Sequence, residues 1–470
     1  MLQTTLIGHA CLLIQSRETT VLTDPVWFDY LWEEINVLCP SIVLEKEKIP
    51  PVDVLNISHR HQDHFDVRTL AYLLQDNGVL KPDVTVLAPN DDIVLKVMRE
   101  LGFENITVVS DFETIRVKDI EITPTPSGNQ ESTAQDTFPE HGLLVHDGEV
   151  TLWNQVDSLV NPNTIERINQ KYGRVDLAHG RFVPLLEGNF SYNKPFNLPF
   201  NEYCTFLNMV KALQPRFVVP GSAAFRYRDE FSFLNRYSFP TTQDQYLRDL
   251  KNFCPEVPAG HYNPGDVAHI TTSEVKIEHQ SSPFVRVLED DSEKLIFKPV
   301  MEVAPMRTRT KDSKECDEEM LRVREFVENR FLVKLTQSEL LEAWQHWNVV
   351  YQLEVFGKEG SEIWSIDFEE NPVRVQNSCL GKINLYEGIA ASELDALVRG
   401  ETSWDFVALC GNYRTFNNIY RVTNGNFEYF PSEKLDVALE PLMVAFPWNS
   451  EMDLDKFMRD VRRWKGVPQS

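Results

Sequence analysis

The sequence predicts an α/β fold followed by a second, smaller α+β region. Three observations carry this. Short apolar runs bounded by Gly, Pro, Asn or Asp recur through residues 1 to about 275, as strands do. Longer runs with apolar residues at helical spacing lie between them, several opened by a capping residue. A charged stretch, Arg307 to Glu319, separates this alternation from a further strand-and-helix region. Strands that alternate with helices imply layered sheets covered by helices.

Each element has its own signal. Leu2–Ile7 reads as a first strand. No basic or apolar leader precedes it, so no secretory signal is expected. Val52–Ile57 is a short buried strand, and Val67–Leu74 is helical through Val67, Leu70, Leu73 and Leu74. Thr85–Ala88, Ile106–Val109, Ile120–Pro124, Leu143–Val145, Val150–Trp153 and Phe217–Val219 are further strands. Asp92–Leu101, Pro162–Tyr172 and Glu202–Leu213 are helices. Asp91 and Asn161 stand where caps belong, the latter with proline in the first turn. We expect one domain over 1–275, a linker over 276–319 and a C-terminal α+β domain over 320–470. That last domain opens on a helical pattern from Asp317 to Phe331. Strands Val349–Phe356 and Ile363–Phe368, a helix Ala391–Leu397 and a cap at Gly400–Asp405 follow.

Composition narrows the function classes. The 470 residues carry a formal charge of −25. Nucleic acid and anionic membrane are poor partners for such a chain, because phosphate binding needs clustered Lys and Arg. Seven cysteines are scattered, with no C-x-x-C pair and no Rieske-type Cys/His motif. Reduced thiols in a cytoplasmic protein are the expectation. No apolar run reaches membrane-spanning length.

The chemistry is concentrated in His59-Arg60-His61-Gln62-Asp63-His64. Four metal-capable side chains fall within six residues, at the end of a strand and the start of a helix. Rigid elements on both sides hold such a loop. Imidazole and carboxylate suit zinc, iron or manganese.

This H-x-H-x-D-H loop resembles the signature of the metallo-β-lactamase fold superfamily. Leu6–Ile14 with its Gly8-His9-Ala10, followed by Val21-Leu22-Thr23-Asp24-Pro25, resembles the opening hairpin of that fold. The chain is similar to the branch of N-acyl-phosphatidylethanolamine phospholipase D and the lactonase-like hydrolases. Glu140–Val145 with Leu152–Asp157, Phe217–Ser222 with Phe231–Asn235, and Pro264-Gly265-Asp266 resemble the CMP-N-acetylneuraminate hydroxylase-like branch. The resemblance covers about residues 1–270. It implies an αββα sandwich with two divalent metal ions, zinc or iron, at one rim.

The resemblance also implies a ligand set. His59 and His61 serve one metal, Asp63 and His64 the other, and Asp157 bridges. Asp63 would also orient an attacking water. The segment after Pro126 reads Ser127-Gly128-Asn129-Gln130-Glu131 and lacks the family's usual histidine. His141 and His179 are the candidates to replace it. Gly221-Ser222 stands where the hydrolase branch often has another histidine, and His261 is a more distant candidate. His9 is read as structural, or as a support for the ligands. Arg226-Tyr227-Arg228 is a candidate substrate clamp for a carboxylate or phosphate. A salt-bridged surface loop is the plainer alternative.

Three functions follow. The first is hydrolysis of an ester, amide or phosphodiester by metal-bound hydroxide. The second is oxygenation at a dinuclear iron site, with electrons from a separate donor protein. The third is a degenerate metal-binding scaffold. The sequence places hydrolysis narrowly ahead, on a small-molecule substrate. The C-terminal region is expected to cover the pocket; it also resembles sterol-carrier-type lipid-binding modules and the C-terminal region of the hydroxylase-like branch. Trp344, Trp347, Trp364 and Trp404 supply apolar faces for packing.

Overall fold

A computed structural model describes residues 1–28, 30–31, 33–75, 78–128, 138–184, 186–195, 197–222, 225–289, 304–430, 439–447 and 451–466. Two sheets face each other in the first half. The larger runs in the spatial order Val275–Glu278, Val267–Ile270, Leu2–Gly8, Cys11–Gln15, Thr20–Thr23, Val54–Asn56, Thr85–Ala88, Asn105–Val108. The smaller runs Ile115–Val117, Ile120–Pro126, His141–His146, Thr151–Asn154, Leu177–Arg181, Phe217–Gly221. Both are mixed: hairpins build one side and parallel crossovers the other.

Side-chain alternation explains the layering. Leu12, Ile14, Val21, Val54 and Leu87 meet Ile122, Leu143, Val145, Leu152, Leu177 and Val219 between the sheets. Their neighbours Cys11, Leu13, Leu22, Leu55 and Val86 join a second cluster with Leu70, Leu73, Val94 and Met98 of the outer helices. On the other flank Leu144, Trp153, Ala178 and Val218 meet Ile165, Ile168, Phe206 and Val210. Successive strand residues point to opposite faces. Both faces are covered, so these strands read as nearly continuous apolar runs. Helix, sheet, sheet and helix therefore stack in the order that the family resemblance implies.

The helix signals translate directly. Asp91 accepts from the amides of Ile93 and Val94 and opens Asp92–Leu101. Asn161 does so for Pro162–Tyr172 by accepting from Thr164. Residues 276–289 differ from the expected linker. Val275–Glu278 pairs with Val267–Ile270, and Val285–Glu289 pairs with Ser41–Leu44. Their alternation of apolar and charged residues was masked by the surrounding charge. The charged stretch itself becomes helix from Ser313, capped by Asp312. Residues 290–303 of the expected linker lie outside the described residues.

The second half holds a sheet in the order Val375–Gln376, Ser361–Asp367, Val350–Phe356, Leu385–Ala390, Tyr413–Asn417. Its helices Ser313–Phe326 and Ala391–Arg399 pack together. The last helix, Glu451–Trp464, lies on Val67–Leu73 and Asp92–Leu101 of the first half. Trp344 and Trp364 are core residues of the C-terminal region. Trp404 reaches across to the first half, its indole N–H 3.4 Å from the Tyr192 hydroxyl. No described helix is long and apolar enough to cross a membrane.

Candidate metal centre

Strand ends converge at one rim. Thr23 pairs with Asn56 at the ends of two parallel strands, and Asn154 pairs with His179 in the facing sheet. The loops leaving these ends carry Asp24, His59–His64 and Asp157. The turn between the first two strands adds His9. His9, Asp24, Val156 and Ser222 all have positive φ, at 51°, 39°, 57° and 54°. Such backbone is costly for residues other than glycine and gathers where packing over-determines it, often at functional sites.

His9, Asp63, His64 and Asp157 each bring one donor atom within 4.8 Å of the others. His9 Nε2 lies 3.0 Å from His64 Nε2 and 3.1 Å from Asp63 Oδ2. His64 Nε2 is 3.3 Å from Asp157 Oδ2 and 3.7 Å from Asp63 Oδ2. His59 Nε2 and His61 Nδ1 form a second pair, 2.8 Å apart. The His59 and His64 rings are 4.2 Å apart between centres, so the two groups adjoin. Ligands around one ion at about 2.1 Å stand about 3.0 to 3.4 Å from one another, in octahedral or tetrahedral geometry. The measured separations scatter about that range. Oδ1 of Asp63 and Nδ1 of His9 are buried without a hydrogen-bond partner. These residues fit a metal.

One carboxylate orients two of the histidines. Asp24 Oδ2 lies 3.0 Å from His64 Nδ1 and accepts from the Ser58 hydroxyl at 2.7 Å. That hydroxyl is 2.9 Å from His59 Nδ1. With Ser58 donating to Asp24, His59 must donate from Nδ1. Nδ1 of His64 likewise donates to Asp24, so both histidines turn Nε2 toward the cluster. This is how outer carboxylates hold metal-binding imidazoles.

The charge balance is tight. Burial would lower His64, but Asp63, Asp157 and Asp24 outweigh it and hold the imidazole well above its ordinary pKa. Burial would raise Asp157, yet His64, His9 and Arg181 hold it well below the usual carboxylate range. Burial, with His64 and His61 beside it, pushes His59 well below the ordinary histidine value. Arg181 also donates to the Asp157 carbonyl at 2.6 Å and so ties the strained turn at Val156 to the neighbouring strand.

His141, His179 and His261 each have a polar neighbour of their own. His141 Nε2 lies 3.0 Å from Asn56 Oδ1, and burial pushes its pKa down to about 4. His179 Nδ1 lies 2.9 Å from Asn154 Oδ1, and burial with His9 nearby pushes it to about 3. Neither belongs to the four-residue group, but Nε2 of His179 is buried without a hydrogen-bond partner, as are Nδ1 of His9 and Oδ1 of Asp63. His261 is half-exposed and pairs with Asp244. Asn129, Gln130 and Glu131 lie outside the described residues. Tyr227 is buried beside Phe239, while Arg228 pairs with Asp229 and lies over Tyr30. Arg226 precedes them on the same short strand, half-buried. The part of this strand that meets the cluster is Phe225, whose ring lies 5.8 Å from His9. Phe138 stacks near His59 and His61 on the other side. Sequence reasoning gave His9 only a structural or supporting role; its signal was a histidine in the two-residue turn between the buried strands Leu2–Gly8 and Cys11–Gln15.

Comparison with known proteins agrees with this fold. Residues 3–222 match the beta-lactamase superfamily domain. A Streptomyces venezuelae 4-amino-L-phenylalanyl-[CmlP-peptidyl-carrier-protein] 3-hydroxylase is 29% identical over 174 residues, which are 36% of this chain and 32% of that protein. A Mycolicibacterium smegmatis protein provisionally named a Rieske 2Fe-2S iron-sulfur protein is 29% identical over 185 residues, 37% of this chain and 33% of its own. The mitochondrial N-acyl-phosphatidylethanolamine-hydrolyzing phospholipase D of Saccharomyces cerevisiae is 25% identical over 182 residues, 36% of this chain and 37% of its own. The chain spans about a third of the length of these relatives. Signature loop, two-sheet core and family match coincide: residues 3–222 of this chain are similar to the beta-lactamase superfamily domain.

Proposed function

We propose that this protein is a non-haem dinuclear iron oxygenase that hydroxylates a small molecule. The observation that carries this reading is the composition of the described cluster. It contains two carboxylates with its histidines, while His141 and His179 face the amides of Asn56 and Asn154. Mixed histidine and carboxylate sets suit iron. The 3-hydroxylase relative supports the same reading.

His59 and His61 would hold one ion, and Asp63 and His64 the other, with His9 as an added donor. Asp157 would lie between them: its charge acts on both His59 and His64. Bound iron would supply the reductive activation of dioxygen. The overall step converts a substrate C–H, dioxygen, two electrons and two protons to C–OH and water. The electrons come from a separate donor protein. The chain's own residues orient and shield. Asp24 and Ser58 fix the imidazoles, and Phe138 and Phe225 wall the cluster with apolar rings, which limits water access.

Hydrolysis at zinc is the second reading, favoured by the phospholipase relative. Metal analysis of protein purified without added metal separates the two. Iron at about two ions per chain, with absorption that changes on admitting oxygen to the reduced protein, is expected. Zinc instead, with turnover of a nitrophenyl ester and no response to oxygen, would overturn the proposal.

A further inference from the structure

We infer that the cavity between the helix Val67–Leu73 and the C-terminal helix Glu451–Trp464 binds an oxyanion, a carboxylate or phosphate carried on an apolar body, through the guanidinium of Arg68. The cavity measures about 310 Å³, and its wall includes Gln62 of the metal loop, Phe65, Arg68, Phe457, Arg463 and Trp464.

Arg68 is the reason. It is only partly exposed, and its guanidinium lies 3.8 Å from the centre of the Phe28 ring and 4.8 Å from that of Trp464. Its Nε is buried without a hydrogen-bond partner. Among the described residues it makes no ion pair within 4 Å. Contact with two rings restrains the guanidinium, and its Nε has no acceptor. A restrained fork with a free donor suits capture of a carboxylate or phosphate. Partly buried donors left without an acceptor are costly, so the arrangement favours an occupant that supplies one.

The acids on the cavity wall do not fill this role. Glu33 pairs with Lys456 at 3.1 Å and accepts from the Thr402 hydroxyl at 2.8 Å. Glu401 pairs with Arg399. Asp66 feels the charge of Arg68, but it accepts from the Thr69 amide and hydroxyl and caps its own helix, and burial raises its pKa to about 6. Glu34 is exposed at the rim. Asp460 is the remaining carboxyl, and burial holds its pKa above the ordinary value, which weakens it as a counter-ion. Arg463, on the same wall, lies over Trp464 and adds positive charge. Partly exposed Trp464 and the edge of Phe457, which packs on buried Phe65 with rings 5.6 Å apart, offer the apolar surface for the body of the ligand. A free inorganic anion would leave that surface unused.

Calorimetric titration of the full chain with phenyl phosphate, benzoate and inorganic phosphate tests this. Saturable binding of phenyl phosphate or benzoate, tighter than of inorganic phosphate, is expected. Arg68→Gln should weaken it about ten- to hundredfold by removing charge-assisted hydrogen bonds. Preference for phenyl phosphate identifies a phosphate ester, and preference for benzoate a carboxylate. Arg68→Lys keeps the charge but loses the fork, so a smaller weakening is expected; it also serves if near-UV circular dichroism shows that the glutamine variant does not fold. Asp63→Asn separates this cavity from the metal centre. Binding that survives Arg68→Gln and disappears in Asp63→Asn belongs to the metals and overturns the proposal. So does the absence of saturable binding of either aromatic probe by the unaltered protein.

Discussion

At the scale of single residues, the cluster is defined as much by what holds the ligands as by the ligands. Asp24 reaches both His59 and His64, directly or through Ser58. His9 adds a donor from a left-handed turn. His9→Asn keeps a residue that tolerates that backbone but withdraws the imidazole. It should lower metal affinity at least about tenfold, the effect of losing support in or around a metal site, with little change in melting temperature. Unchanged metal content after dialysis against a chelator would remove His9 from the centre. Glu387 offers a separate test, far from the metal loop in sequence. Burial pushes its carboxyl up to about 8, although the Tyr413 and Tyr351 hydroxyls and the Leu442 amide all donate to it. The folded state therefore keeps a proton that the unfolded chain releases at about 4.3. The contribution of this group is full below that value and is lost as pH rises toward 8, by at most about 1.4 kcal/mol per pH unit. Glu387→Gln cannot ionise. In urea unfolding its stability relative to the parent should climb between about pH 5 and 8, and a flat difference would mean that Glu387 is already ionised.

At the scale of elements, the strand ending at Gly221 shows why the sequence was hard to read at the rim. A Cβ on Gly221 would stand 2.8 Å from the His179 ring. The glycine is there so that the imidazole can lie against the strand, a reason that no linear pattern displays. Gly221→Ala should cost about 1–3 kcal/mol, as overpacking does. In a His179→Ala background the cost should largely vanish, because the three atoms nearest to the added Cβ all belong to the His179 ring. Equal melting-temperature losses in both backgrounds would show that the glycine answers to something else. Elements with a strong local signal were legible. Asp91 and Asn161 caps, the strand Thr85–Ala88 and the H-x-H-x-D-H loop all stand where local spacing places them. What stayed hidden depends on contacts between distant segments. His141 opens its strand and His179 stands in the middle of Leu177–Arg181, not at its end as the sequence suggested; their amide partners, Asn56 and Asn154, lie 85 and 25 residues away in sequence. Strand Val285–Glu289 was invisible because its partner is Ser41–Leu44.

At the scale of the whole molecule, the two halves share one hydrophobic cluster that includes Phe65 and Phe190 from the first and Phe457, Trp404 and Phe446 from the second. Polar contacts reinforce it. Arg414 donates to the Phe190 carbonyl at 3.1 Å with its guanidinium over that ring. Lys456 pairs with Glu33, and Lys465 donates to the Glu100 carbonyl. Burying a large aromatic side chain contributes roughly 1.5–3 kcal/mol relative to exposure, so several such residues at one boundary outweigh the modest gain of any surface ion pair. We therefore expect the full chain to unfold in a single transition, coincident by near-UV circular dichroism and tryptophan fluorescence. A chain ending at Pro305 would expose Phe65 and Phe190 to water and remove the helix that lies behind the metal loop. It should aggregate, or bind metal more weakly than the full chain, because Phe65 follows His64 directly and its packing steadies that turn. Soluble, fully metallated protein with the melting temperature of the first half unchanged would instead make the C-terminal region an independent module.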